Sequence, residues 1–234
     1  MRKFGLAMAL VLVAAQAAMA GGPLPAAATD WSGFYLGGNL GYGTARASAD
    51  FSLLGVPLVS GSETLDGAVY GGQIGYNFQW SRAVLGIETD LQATSQKATA
   101  TRLCVTLACG AGVTQSSSDS IPWLGTLRLR AGFAFGPLLI YGTGGAGYGE
   151  FKSTQTLTST LASVTSTTSE QRLAWVAGAG VEAALGRRWS VKFEYLYLDT
   201  GEQQTTYSLL GIGLIAQQSR MTENISRVGL NYRF

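Results

Sequence analysis

Eight segments of this 234-residue chain alternate apolar with polar side chains, and the connections between them are short and long in turn. A period of two gives a strand one apolar face and one polar face. The segments fall near 31–44, 67–80, 83–94, 121–135, 138–151, 171–185, 189–200 and 222–234. Ser81-Arg82, Gly136-Pro137 and Gly186 to Arg188 join them at one end. The connections at the other end run to about eighteen residues or more. An even strand count with tight turns on one side and long loops on the other is the pattern of a closed transmembrane β-barrel. About 9–11 residues of strand cross a bilayer, and each segment reaches that length.

The last segment states the pattern most clearly. Val228, Leu230, Tyr232 and Phe234 share one face, and Arg227, Gly229, Asn231 and Arg233 share the other. A strand whose final aromatic lies on the apolar face suits the closing seam of such a barrel. The same parity sets Leu127 and Leu129 outward against Arg128 and Arg130, and Val191 and Phe193 outward against Ser190, Lys192 and Glu194. Trp31, Trp80, Trp123, Trp189, Tyr232 and Phe234 lie near segment ends, where interfacial aromatic girdles are expected.

Composition separates a membrane barrel from a soluble one. Charged residues make up 13% of the chain, against about 25% in ordinary soluble domains. After the N-terminal stretch no apolar run approaches the roughly 20 residues that a transmembrane helix needs. A soluble up-and-down barrel of lipocalin type would invert the faces, filling its interior with the apolar row. Its outer surface would then offer few charges and many of the chain's 32 glycines, which is a poor water-facing surface. The lipid-facing reading is favoured.

Residues 1–20 read as a cleaved signal peptide: Arg2 and Lys3, an apolar run from Gly5 to Ala15, and Ala18-Met19-Ala20 at the cut. Residues 21–30 form a Pro- and Ala-containing lead-in, and 31–234 the barrel. Without Arg2 and Lys3 the basic residues equal the 14 acids, so nothing favours a nucleic-acid partner.

The inward row collects four acids, Glu88, Asp90, Glu182 and Glu194, with four bases, Arg128, Arg130, Lys192 and Arg227. Paired carboxylates could do acid–base chemistry. The alternative is a salt-bridge network filling an eight-stranded interior, which is only wide enough for side chains. The second is favoured, because no nucleophile–base–orienter set accompanies the charges. The chain contains no histidine, which removes histidine-ligated zinc or haem, and no cofactor is expected. Gly142 to Gly147 fits G-x-G-x-x-G, but it lies inside a strand pattern with no helix after it, so a dinucleotide site is rejected. Cys104 and Cys109 lie in the second long loop. A metal site is open in principle, but a local disulfide is favoured in an oxidising compartment.

Trp31-Ser32-Gly33-Phe34-Tyr35-Leu36-Gly37-Gly38, Gly71 to Tyr76, Gly86 to Asp90, Phe193 to Tyr197 and Arg227 to Phe234 together resemble one family. It is the small outer-membrane β-barrel proteins of alphaproteobacteria ("porin family", RopB-type, similar to the OmpA membrane domain). The likeness covers nearly all of the chain after the signal. It implies a barrel in the cell outer membrane, in contact with lipid and lipopolysaccharide, inserted by an assembly machinery that reads a terminal strand ending in Phe, here Phe234. It leaves no room for the periplasmic peptidoglycan-binding domain of full-length OmpA proteins. The barrel enzymes that share this architecture depend on histidine, so an enzyme is not expected. The expected role is structural, contributing to envelope integrity and presenting surface loops from a barrel with a filled lumen. A narrow channel for small solutes and an adhesin acting through the loops are the alternatives.

Overall fold

The computed structural model describes residues 29–53, 56–103, 114–159, 162–209 and 213–234. The expected signal peptide at 1–20 and both cysteines, Cys104 and Cys109, lie outside these described residues. The strands are β1 (Gly33–Leu53), β2 (Val56–Trp80), β3 (Ala83–Leu103), β4 (Thr114–Phe135), β5 (Leu138–Thr158), β6 (Ser163–Ala184), β7 (Trp189–Asp199), β8 (Gln203–Leu209) and β9 (Gly213–Arg233). All pairings are antiparallel, and consecutive strands pair from β1 through β7. β7 pairs with β9 and β9 with β1, closing a ring of eight; β8 continues along β9 where β7 leaves off. The terminal strand is the seam, as its pattern indicated: Tyr35 stands opposite Arg233, and the Phe234 amide donates to the Phe34 carbonyl at 3.0 Å.

The tight turns are also where the sequence placed them. Gly136 has φ +63° and Ser81 φ 57°, the left-handed conformation that lets two-residue connections follow the twist of the strands.

The outer face carries an apolar band. Leu40, Ile74, Leu85, Leu91, Leu129 and Leu230 stand exposed between two aromatic levels. At the tight-turn end these are Phe34, Phe78, Trp80, Phe135, Trp189 and Phe234, with Tyr232 edge-on to both Trp189 and Phe234. At the other end they are Tyr42, Tyr70, Tyr148, Trp175 and Tyr195. The hydroxyls of Tyr42, Tyr148 and Tyr195 donate to Asp66, Gln171 and Asn224, so each ring spans from the apolar band to polar groups.

Two expectations need correction. The connections read as long loops are mostly strand: β1 to β6 run 21 to 25 residues, about twice what a bilayer needs, and β8 occupies part of the last connection. The barrel wall therefore continues beyond the second aromatic level. On β5 and β6 it is laced by hydroxyl contacts between Thr154 and Thr167, Thr156 and Thr165, and Thr158 and Ser163, at 3.1 to 3.3 Å. The other correction is Trp31. It is not a girdle residue but sits 1% exposed inside the tight-turn mouth, against Val84, Ala134, Leu139 and Tyr141. Its amide donates to Gln79 Oε1 at 2.7 Å, and the Arg233 guanidinium lies 4.8 Å over its ring, with a hydrogen bond to the Asp30 carbonyl. Asp30 itself accepts from the Ser32 amide, which holds its carboxyl below the usual range. Trp31 thus fills the tight-turn mouth as a cork.

Candidate functional site

All eight inward charges meet in the middle of the barrel, each buried. Glu88 and Asp90 come from β3, Arg128 and Arg130 from β4, Glu182 from β6, Lys192 and Glu194 from β7 and Arg227 from β9. Glu88 and Arg128 are direct cross-strand partners, as are Glu194 and Arg227, and Glu182 and Lys192. Alternation alone aims them inward; register makes them a network.

Arg128 reaches three carboxylates: Glu88, Asp90 at 2.8 Å and Glu194 at 3.1 Å. Arg227 bridges Asp90 at 2.8 Å and Glu194 at 2.5 Å. Lys192 Nζ donates to Glu88 at 2.8 Å, and Arg130 to Glu182 at 2.7 Å. Every acid therefore has at least one base in contact and every base at least one acid, so the layer carries no net charge. That balance is what makes eight buried charges tolerable, because an unpaired one would cost several kcal/mol, about 3–5 when a partner is removed.

Neutral residues of the same inward faces complete the layer; alternation places them inside, and only register shows which charge each one meets. Tyr35 donates to Glu88 at 2.7 Å and accepts from Arg130, while Tyr141 donates to Glu194 at 2.9 Å with the Arg130 guanidinium 3.9 Å over its ring. Ser190 and Asn231 donate to Glu182 at 2.6 and 2.9 Å, and Gln73 donates to Asn231. Glycines supply the room. Gly41 faces Arg227 and Gly145 faces Arg128 across the ladder, and a Cβ on either would come within 2.4 Å of a backbone oxygen. The G-x-G-x-x-G run is part of this wall, lying wholly within β5.

The inward row is not polar throughout, as period-two reading had it. Above the charges it turns apolar at Val69, Leu124, Val176, Leu196, Leu198 and Ile225, and above that at Ala45, Leu65 and Ile121. Below lies the Trp31 cluster. Between the upper layers Gln96 reaches across the lumen to donate to Glu223 at 2.9 Å, passing over Gly43, where a Cβ would sit 2.3 Å from its Nε2. The charged layer is thus packed between apolar ones. Among the described residues no group of three or more acids, cysteines or histidines is placed to hold a metal ion.

The family model for the outer membrane protein beta-barrel domain matches residues 5–234. The chain belongs to that family. It is 34% identical over 212 residues to the 31 kDa outer-membrane immunogenic protein of Brucella melitensis, covering 87% of this chain and 84% of that one. It is 29% identical over 172 residues to the 22 kDa outer membrane protein of Rhizobium leguminosarum, covering 74% of this chain and 65% of that one. Among solved structures, OprG of Pseudomonas aeruginosa aligns over 87% of this chain and 96% of its own, at 16% identity and a TM-score of 0.48. This is an outer-membrane β-barrel protein of the alphaproteobacterial type that the sequence resembled. Its tight turns face the periplasm, and its tall wall stands outside the cell.

Proposed function

We propose that this barrel is a structural component of the outer membrane, with a lumen that does not conduct and no catalytic role. The observation that carries the reading is the lumen's layering. A closed network of four acids and four bases lies between apolar layers, with Trp31 beneath. A channel needs a continuous polar path, whereas these layers alternate. A catalytic site needs a group free to take and give protons near bound substrate. Here each carboxylate of the network is engaged by a base, Glu223 above it is held by Gln96, and the chain has no histidine to serve instead.

The outer face supports the envelope role. Its apolar band fits the lipid tails, and Arg46, Lys97 and Lys152 stand just beyond the second aromatic level, where phosphates of lipid or lipopolysaccharide would lie. Phe234, 78% exposed at the seam's end, is available to the assembly machinery. The tall wall presents serine and threonine to the exterior, which agrees with surface presentation and with the immunogenic character named for the Brucella relative.

Conductance of the purified protein in planar bilayers tests the reading. The expected record is free of stable porin-sized openings, and a steady open pore in the native protein would overturn it. Loss of the gene should sensitise cells to detergent without slowing uptake of small solutes.

A further inference from the structure

The wall does not close all the way up. β7 pairs with β6 only from Trp175↔Asp199 downward, whereas β6 begins at Ser163. Beyond Asp199 the chain follows β9 as β8, and among the described residues nothing pairs with the stretch of β6 from Ser163 to Ala174 on its far side. A built corner causes this parting. Asp199 Oδ1 accepts from the Gly201 amide at 2.9 Å and from Arg220 Nε at 3.1 Å, and its Oδ2 accepts from Arg220 Nη2 at 2.5 Å. The Thr200 amide donates to the Met221 carbonyl, and Gly201 takes φ +67°, which favours glycine. The strand is bent there and released from β6.

The ladder shows which groups are left over. At the two ends of the β5–β6 hairpin the bonds are Ser159 N–H to Ala162 O and Ala184 N–H to Pro137 O, while Leu185 N–H bonds on the opposite side to Trp189 O. Even-numbered residues of β6 therefore bond to β5 and odd-numbered ones point the other way, as antiparallel alternation requires. Above Trp175 the odd set is Ser163, Thr165, Thr167, Ser169, Gln171 and Leu173, six amides and six carbonyls facing an open slit. This edge has no proline, no lysine and no bulge and is rich in β-branched residues; its two charges, Glu170 and Arg172, pair with each other at 2.9 Å near its foot.

We propose that this slit is a strand-addition site, taking an extended peptide segment of an external protein along the free edge of β6. Backbone hydrogen bonds would supply the affinity and alternate side chains the selectivity. The cavity at the foot of the slit indicates what those side chains are. Its open surface is mostly apolar, from side chains such as Leu124, Phe151 and Leu198, with the charged Arg172, Asp199 and Glu223 also on its wall, and its volume is about 30 Å³. That is room for a methyl-sized group, far below the roughly 300–1,000 Å³ of a small-molecule site. The fit is to one small apolar side chain of a bound strand, not to a separate ligand. The inference stands apart from the non-conducting lumen and can fail without it.

Amide hydrogen exchange of the folded protein in micelles, followed residue by residue, tests it. The probe is a twelve-residue peptide of alternating threonine and valine with a lysine at each end; its control is N-methylated at every second residue. In the free protein the six odd-numbered amides should exchange freely while the even-numbered ones of the same stretch are slow. The probe should slow the odd set about tenfold or more at saturation, and the control should not. Thr167→Pro removes a donor that the native ladder does not use, so it should abolish protection by the probe and leave the even-numbered amides slow. Odd amides already slow in the free protein would mean the slit is closed by the chain itself and would overturn the proposal. So would a probe that protects nothing, protects residues elsewhere, or protects equally in the Thr167→Pro variant.

Discussion

Leu129 and Arg128 are neighbours in sequence with opposite fates, one 67% exposed on the lipid face and the other 1% exposed in the lumen. A strand makes that separation with no other device, and it makes single substitutions informative. Leu129→Arg should cost about 2–4 kcal/mol if the site lies near the membrane midplane. Urea unfolding of the protein folded into lipid vesicles measures it, and Leu129→Ala should cost much less. Glycine gives an equally sharp contrast one strand away. A Cβ on Gly145 would stand 2.1 Å from the Leu127 carbonyl oxygen, while on Gly144 its nearest neighbour is 3.6 Å away. Gly145→Ala should therefore destabilise by about 1–3 kcal/mol, as overpacking does, and Gly144→Ala should be near neutral. Equal effects at the two positions would show that the lumen has slack the structure does not have. The direction each side chain faces was legible in the sequence. That Gly145 faces Arg128 was not, because it depends on how β5 is slid against β4.

At the scale of the strand, the membrane-crossing half and the external half are held differently. Between the aromatic levels every strand has a lipid face and a lumen face, so its sequence alternates. Beyond them the strands consist largely of serine, threonine, glycine and alanine, and in the β5–β6 hairpin residues such as Leu157 and Val164 stand exposed. With both faces of the upper β5–β6 hairpin largely exposed, no two-residue rhythm remains to read there. That is why these stretches look like loops in sequence and are strands in the structure. Each hydroxyl pair of the β5–β6 ladder is worth only about 0.2–1 kcal/mol. Replacing 154–167 with a short turn should leave the thermal unfolding of the barrel almost unchanged, while removing the surface it presents. A sharp fall in unfolding temperature would place the barrel's stability in its external wall. An epitope tag between residues 160 and 161 should label on intact cells and one at Ser81 should not; the reverse pattern would invert the topology.

For the molecule as a whole, stability and closure are set by different layers. Arg128→Ala leaves Glu88, Asp90 and Glu194 short of a base and should cost about 3–5 kcal/mol, read as a lower temperature for the heat-modified gel shift. It should not open a pore by itself, because Leu196 and Ile225 seal above the gap and Trp31 below. Conductance should appear only when Arg128→Ala is combined with Leu196→Ala and Trp31→Ala; a pore in the single variant would make the charged layer the only barrier. The sequence by itself determined that the chain forms an antiparallel membrane barrel, where its tight turns fall, and which way the side chains of its alternating segments point, though not that Trp31 lies in the lumen or that Glu223 is buried there. Those follow from a rhythm of two and from turn chemistry, both of which are local. The tertiary structure decided the rest. Arg227 meets Asp90 across 137 residues of chain, Trp31 folds under the mouth, and apolar rings cap the charges. The corner at Asp199 opens the wall beside β6. These arrangements depend on the stagger between strands and on height along the barrel axis, and a one-dimensional pattern fixes neither.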